Sequence, residues 1–269
     1  MWFADLGVGI GWLMLAAWTS LLILTHALPR LGWAAAPFTV GMPVLAGTGV
    51  AAALFAAQAG VVDTVADPNA VGAVDGWTLG WFVAHRTVAV TTAMSAVSTL
   101  GGTIGMAVLA LIGAALLWRI RRRAEAAIVL GAALGAAALV TTFKNLYDRA
   151  RPPLADRLTV ETNAALPSGH ALGSIVTLGV LAAVVVLVAR RPAVQAAAVA
   201  LAGVAVVTIG VSRLYLGVHW MTDVLTGWLL GGAWLALCVT ALAVVTSRRG
   251  PASDSRAGEG IGDVPAADR

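Results

Sequence analysis

Two histidines, one carboxylate and three cations stand near the ends of apolar runs in a chain that is mostly hydrocarbon. His219 and Asp223 are four residues apart, so on a helix they share one face. A carboxylate one turn along accepts a hydrogen bond from one ring nitrogen and leaves the other as an outward lone pair. That is how an activated nucleophile and its orienter are arranged. His170, in Leu166-Pro167-Ser168-Gly169-His170, begins a different apolar run and suits a general acid that later acts as base.

The cations define what these groups would act on. Lys144, Arg151 and Arg213 would repel one another in a partly desolvated site unless an anion lay between them. A phosphate, with several acceptor oxygens, answers that need. Lys144 is the only lysine in a chain that otherwise uses arginine, and a flexible ammonium suits phosphate as a point charge. Ser168 offers a hydroxyl, and the Gly169 N–H opens a helix, whose N-terminus favours anions. Two histidines and a carboxylate also match a metal-binding set, but three neighbouring cations oppose a divalent ion. We therefore expect no metal and no cofactor.

The elements that must position these groups follow from composition. Of the 269 residues, 59% are hydrophobic and only 11% charged. Soluble domains carry about a quarter charged residues, so the chain reads as an integral membrane protein. The net charge of +4 does not point to nucleic acid, because the arginines cluster at the ends of apolar runs, where they set topology. The single cysteine, Cys238, permits no internal disulfide.

Seven apolar runs are expected to span a bilayer: about Leu6–Leu28, Thr39–Gly60, Ala93–Leu117, Ala124–Phe143, His170–Val188, Ala193–Val211 and Thr222–Val245. The fold class is thus all-α, a polytopic membrane helix bundle. Residues 61–80 read as an acidic loop leading into an amphipathic helix at the interface, with His85 and Arg86 facing headgroups. The polar loop at 145–169 carries Asp148, Arg149, Asp156 and Arg157, expected to pair locally in solvent, and Glu161, a weaker candidate for substrate contact. Glycines four apart, Gly131/Gly135 and Gly227/Gly231, suit close helix packing. The membrane domain covers residues 1–249, and 250–269 form a disordered tail.

With seven spans, Arg30, the Arg119–Arg123 cluster, Arg190-Arg191 and Arg248-Arg249 share one side, the cytoplasm by the positive-inside rule. The C-terminus is cytoplasmic, and every singled-out group lies at the extracytoplasmic level.

Lys144-x6-Arg151-Pro152, Pro167-Ser168-Gly169-His170 and Ser212-Arg213-x5-His219-x3-Asp223 together resemble the three signature motifs of the type 2 phosphatidic acid phosphatase superfamily. The resemblance covers about residues 144–223. Leu166 stands where relatives often have an aromatic, and Pro153 follows Arg151-Pro152. The resemblance implies a six-helix core, here with an extra N-terminal span. It implies metal-independent hydrolysis of a lipid phosphate or diphosphate through a phosphohistidine on His219, with Asp223 its orienter and His170 the acid. Lys144, Arg151, Ser168, Gly169 and Arg213 would form the phosphate cradle. The partner is a membrane lipid phosphate, polyprenyl-linked or glycerophospholipid, and not nucleic acid; oligomeric state is left open. Two alternatives stay open: a lipid phosphotransferase using the same site, and a carrier that only binds the headgroup.

Overall fold

The computed structural model describes residues 38–66 and 72–247. The expected first span at Leu6–Leu28, Arg30, Arg248-Arg249 and the tail from 250 lie outside the described residues. Eight α-helices follow in order: α1 Phe38–Ala66, α2 Gly72–Ala84, α3 Val88–Leu100, α4 Thr103–Arg119, α5 Arg123–Tyr147, α6 Gly169–Val188, α7 Pro192–Tyr215 and α8 Met221–Ser247. A 3-10 turn, Leu154–Asp156, interrupts the loop between α5 and α6. Among the described residues there is no strand.

Five of these helices are long and apolar enough to cross a membrane, or six if α3 and α4 are one broken span. The chain is a multi-pass membrane protein. Side chains such as Leu111, Leu116, Leu134 and Leu201 are exposed on the bundle surface, as lipid-facing residues must be.

Three expectations need correction. The run Ala93–Leu117 is not one straight helix: α3 and α4 meet at Gly101-Gly102 with a 50° bend. The acidic loop is shorter than expected, since α1 runs through Asp63 to Ala66 and α2 already begins at Gly72. Asp75 is therefore not in a solvated loop but in the first turn of α2, and it is buried. An acid at an apolar helix end can turn inward when a cation from another segment meets it, which local sequence does not reveal.

Local chemistry explains the other ends. Ser168 is the N-cap of α6 and accepts from the Ala171 N–H. Pro192 opens α7, where its missing N–H costs nothing. α5 ends at Asp148, which takes the left-handed conformation at φ 41°.

α6 is the central helix, packed against α4, α5, α7 and α8. Its Leu172, Val176 and Val180 are fully buried with Val129 of α5 and Leu230 and Leu242 of α8. α1 packs along α8. The α6–α8 contact depends on Gly227 and Gly231. A Cβ at Gly227 would lie 2.7 Å from the Ser168 carbonyl oxygen, and one at Gly231 3.0 Å from that of Leu172. Small residues let the two backbones close, and that closure brings the start of α6 against the start of α8.

Candidate active site

The C-terminal ends of α5 and α7 and the N-terminal ends of α6 and α8 converge. α7 runs four residues past its expected end, so Arg213 sits on its last turn. The chain then turns through Gly217, at φ +69°, where a Cβ would lie 2.2 Å from the Asp156 carbonyl oxygen. Only glycine fits that turn. It delivers His219 just ahead of α8.

His219 is 3% exposed. Its Nδ1 lies 3.3 Å from Asp223 Oδ2, and its Nε2 lies 3.2 Å from Arg151 Nη1. A guanidinium has donors and no acceptor. Nε2 must therefore accept, which leaves the ring proton on Nδ1, donated to Asp223. Burial pushes the His219 pKa well below its ordinary value, and the charges of Arg151, Arg213 and Lys144 push the same way. The imidazole is neutral, with its Nε2 lone pair on the cation side. Asp223 Oδ2 also accepts from the Trp220 N–H at 2.9 Å.

The three expected cations do meet. Arg151 donates to the Val218 carbonyl and to the carbonyl and side-chain oxygen of Asn163. Burial lowers its pKa, with Glu161 opposing and Arg213 reinforcing. Lys144 Nζ donates to Asn163 Oδ1 at 3.2 Å and to the Ala164 carbonyl. Arg213 binds Glu161 Oε1 and the Ser98 hydroxyl, and its buried Nε has no partner among the described residues. The anion between Arg213 and Arg151 is Glu161, which lies 3.9 Å from Arg151. Burial raises the Glu161 pKa, but Arg213 and Arg151 outweigh it and hold the carboxyl below its usual range.

His170 lies in the same cluster but turns aside. Its Nε2 donates to the Ser98 carbonyl at 3.1 Å. Ser168 is fully buried, and its N–H binds the Asp223 carbonyl at 3.0 Å, tying the two motifs through the backbone. Gly169 follows as the first residue of α6. All eight expected residues thus gather at one end of the bundle.

Some readings of the loops fail. Arg149 does not pair locally in solvent. It binds Asp223 Oδ1 with one arm and Asp75 Oδ2, at 2.7 Å, with the other. Arg86 does not face headgroups: it donates to the Tyr215 and Asp156 carbonyls at 3.0 and 2.7 Å, pinning the loop over Gly217. His85 is exposed and stacked on Trp81. Ser98, Asn163, Arg149 and Asp75 were not anticipated as site residues. Only Arg149, two positions before Arg151, carried any motif-level signal.

A groove of about 870 Å³ opens beside the cluster between α4, α5 and α6. Lys144, Asn163 and Gly169 line its polar end, and Met106, Leu111 and Leu134 its apolar length. A second cavity, about 660 Å³ and apolar, lies between α6, α7 and α8 and touches none of the motif residues.

Residues 125–246 match the family model described as PAP2 superfamily. Inovirus Coat protein B matches only 87–125, the apolar α3–α4 stretch outside the three motifs. Phosphatidylglycerophosphatase B of Bacillus subtilis (strain 168) is 38% identical over 91 residues, 33% of this chain. That match spans 43% of the Bacillus protein, less than half its length. The crystal structure of a transmembrane PAP2 type phosphatidylglycerolphosphate phosphatase from Bacillus subtilis superposes with a TM-score of 0.59 at 25% identity. It covers 80% of this chain and 98% of its own. The fold is that of a transmembrane PAP2 phosphatase. The match to the PAP2 superfamily thus lies over α5 to α8, somewhat less than half of the chain.

Proposed function

We propose that this protein hydrolyses a membrane lipid phosphate or diphosphate at the extracytoplasmic face, through a phosphohistidine on His219. The observation that carries the reading is the placement of His219. Its ring is held by Asp223 on one nitrogen and turns the other toward Arg151 at the cation cluster.

The phosphoryl group would replace Glu161 among Lys144, Arg151 and Arg213. Three cations offset the charge that builds on the transferred oxygens. His219 Nε2 would attack phosphorus as the bond to the leaving oxygen breaks, and His170, swung from Ser98, would protonate that oxygen. His170 would then take a proton from water, which attacks the phosphohistidine and releases inorganic phosphate with His219 regenerated. The groove beside Lys144 and Gly169 suits the apolar chain of the lipid. The Bacillus relatives, named as phosphatidylglycerolphosphate phosphatases, favour a glycerophospholipid phosphate among the substrates. Polyprenyl diphosphates stay within the same chemistry. The arginine clusters on the opposite ends of the helices support the extracytoplasmic side.

The test is phosphate release by the detergent-solubilised full-length protein. Phosphatidylglycerol phosphate, phosphatidic acid and undecaprenyl diphosphate are compared at matched detergent, with and without EDTA. We expect release that EDTA leaves unchanged. Release abolished by EDTA and restored by zinc or magnesium would overturn the metal-free mechanism, and no release from any of the three would overturn the reading as a whole.

A further inference from the structure

Resting on that reading, we propose that Asp75 and Arg149 are positioning residues that fix Asp223, and through it the ring of His219.

Asp75 comes from α2, outside the part of the chain that the family model matches. It is 3% exposed and saturated with donors. Oδ1 accepts from the Thr222 N–H at 3.0 Å, and Oδ2 from the Thr222 hydroxyl and Arg149 Nη2, both at 2.7 Å. The other arm of Arg149 binds Asp223 Oδ1 and, at 2.8 Å, the Thr222 hydroxyl. Its guanidinium lies over the Trp220 ring, 5.8 Å from the centroid. A planar fork is thus gripped at both ends, which a lysine point charge could not reproduce.

The consequence runs along the chain of contacts. Asp223 has one oxygen held by Arg149, so its other oxygen faces His219 Nδ1 and the Trp220 N–H. That orientation keeps the proton on Nδ1 and the lone pair on Nε2. Arg149 comes from an irregular loop and needs a second anchor to hold its place, and Asp75 is that anchor. Without it the Asp223 carboxylate is free to rotate, and the tautomer of His219 is no longer fixed. Fold stability is a poor alternative reason for two buried carboxylates on one half-buried guanidinium, because a buried ion pair gives little net stability over a packed apolar pair. Asp75 and Arg149 share no hydrogen bond with Lys144, Arg151 or Arg213. Their effect therefore falls on turnover and not on phosphate binding.

The test is a double-mutant cycle on the full-length protein with phosphatidic acid in detergent micelles: wild type, Asp75→Asn, Asp223→Asn and the pair. Asp75→Asn should lower kcat about 10- to 100-fold, the range seen when an outer residue orients a reacting one. KM should stay within about twofold, since the cradle is intact. In the Asp223→Asn background, the added Asp75→Asn should cost less than about threefold, because both act through one group. Wild-type kcat in Asp75→Asn, a loss confined to KM, or an equal loss in both backgrounds would each overturn the proposal. If Asp75→Asn does not survive purification, Arg149→Lys is read in the same cycle with the same expectations. A wild-type protein that releases no phosphate fails the functional reading itself, whereas an active wild type with an indifferent Asp75 fails only this proposal.

Discussion

The two halves of the described bundle serve the site in different ways. Helices α5 to α8 carry each motif residue at a helix end or in the loop beside one, and those groups meet because the ends converge. Helices α1 to α4 and their connections carry none of the motifs, yet they reach the same place through single residues. Asp75 meets Arg149, Ser98 meets both Arg213 and His170, and Arg86 clasps the loop over Gly217. One half supplies reacting groups from a short segment of sequence. The other supplies the contacts that hold them, from positions 70 to 129 residues away. The chemistry is compact in sequence, and its support is dispersed.

The comparison breaks first at His219. Replacing it with alanine should lower turnover by about a hundredfold or more, as expected for loss of a nucleophile. A variant with near wild-type steady-state rates would remove α5 to α8 as the reacting half. The Asp75→Asn cycle comes next in size and tests whether the first half reaches the nucleophile at all.

Ser98→Ala is a milder probe of the same half. It removes the hydroxyl that pairs with Arg213 but keeps the carbonyl that holds His170. Loss of one hydrogen bond, about 1 kcal/mol net, should raise KM about five- to tenfold. Unchanged KM, measured by phosphate release against substrate concentration, would show that Arg213 needs no support from α3.

Glu161→Gln should give the smallest effect, and of opposite sign. The carboxylate competes for Arg213 and Arg151, so its removal should tighten vanadate inhibition about two- to fivefold, the scale of a partly screened ion pair. The pH dependence follows from the lowered Glu161 pKa. The ion pair is fully present above the ordinary glutamate range and is lost as pH falls through the lower folded value. The difference between variant and wild type should therefore be full at neutral pH and vanish in acid. Equal vanadate inhibition at pH 7 would show that Glu161 does not contend for the anion site.

Much of the site was legible because its residue types are costly inside hydrocarbon. Lys144, Arg213, His219 and Asp223 stand out against their surroundings; the spacing of His219 and Asp223 suggests one helix face, and the count of spans suggests one membrane level. The break between α3 and α4 was less legible, since Gly101-Gly102 does not interrupt the hydropathy of the run. Arg149 and Asp75 were misread because each looks like an ordinary loop charge locally. Only their mutual approach across 74 residues makes them partners in the site.

The sequence by itself determined a membrane bundle, the helix ends that carry charge, and a three-part motif around two histidines. A charge set beside an apolar run and spacing on a helix are local properties, and a linear chain records them. The tertiary structure alone decided that Glu161 occupies the cation cluster, that His170 turns to Ser98, and that Asp75 anchors the guanidinium gripping Asp223. Those pairings depend on how α2 and α3 lie against the ends of α7 and α8. That packing is set by the fit of whole helix faces, which no spacing within one segment encodes.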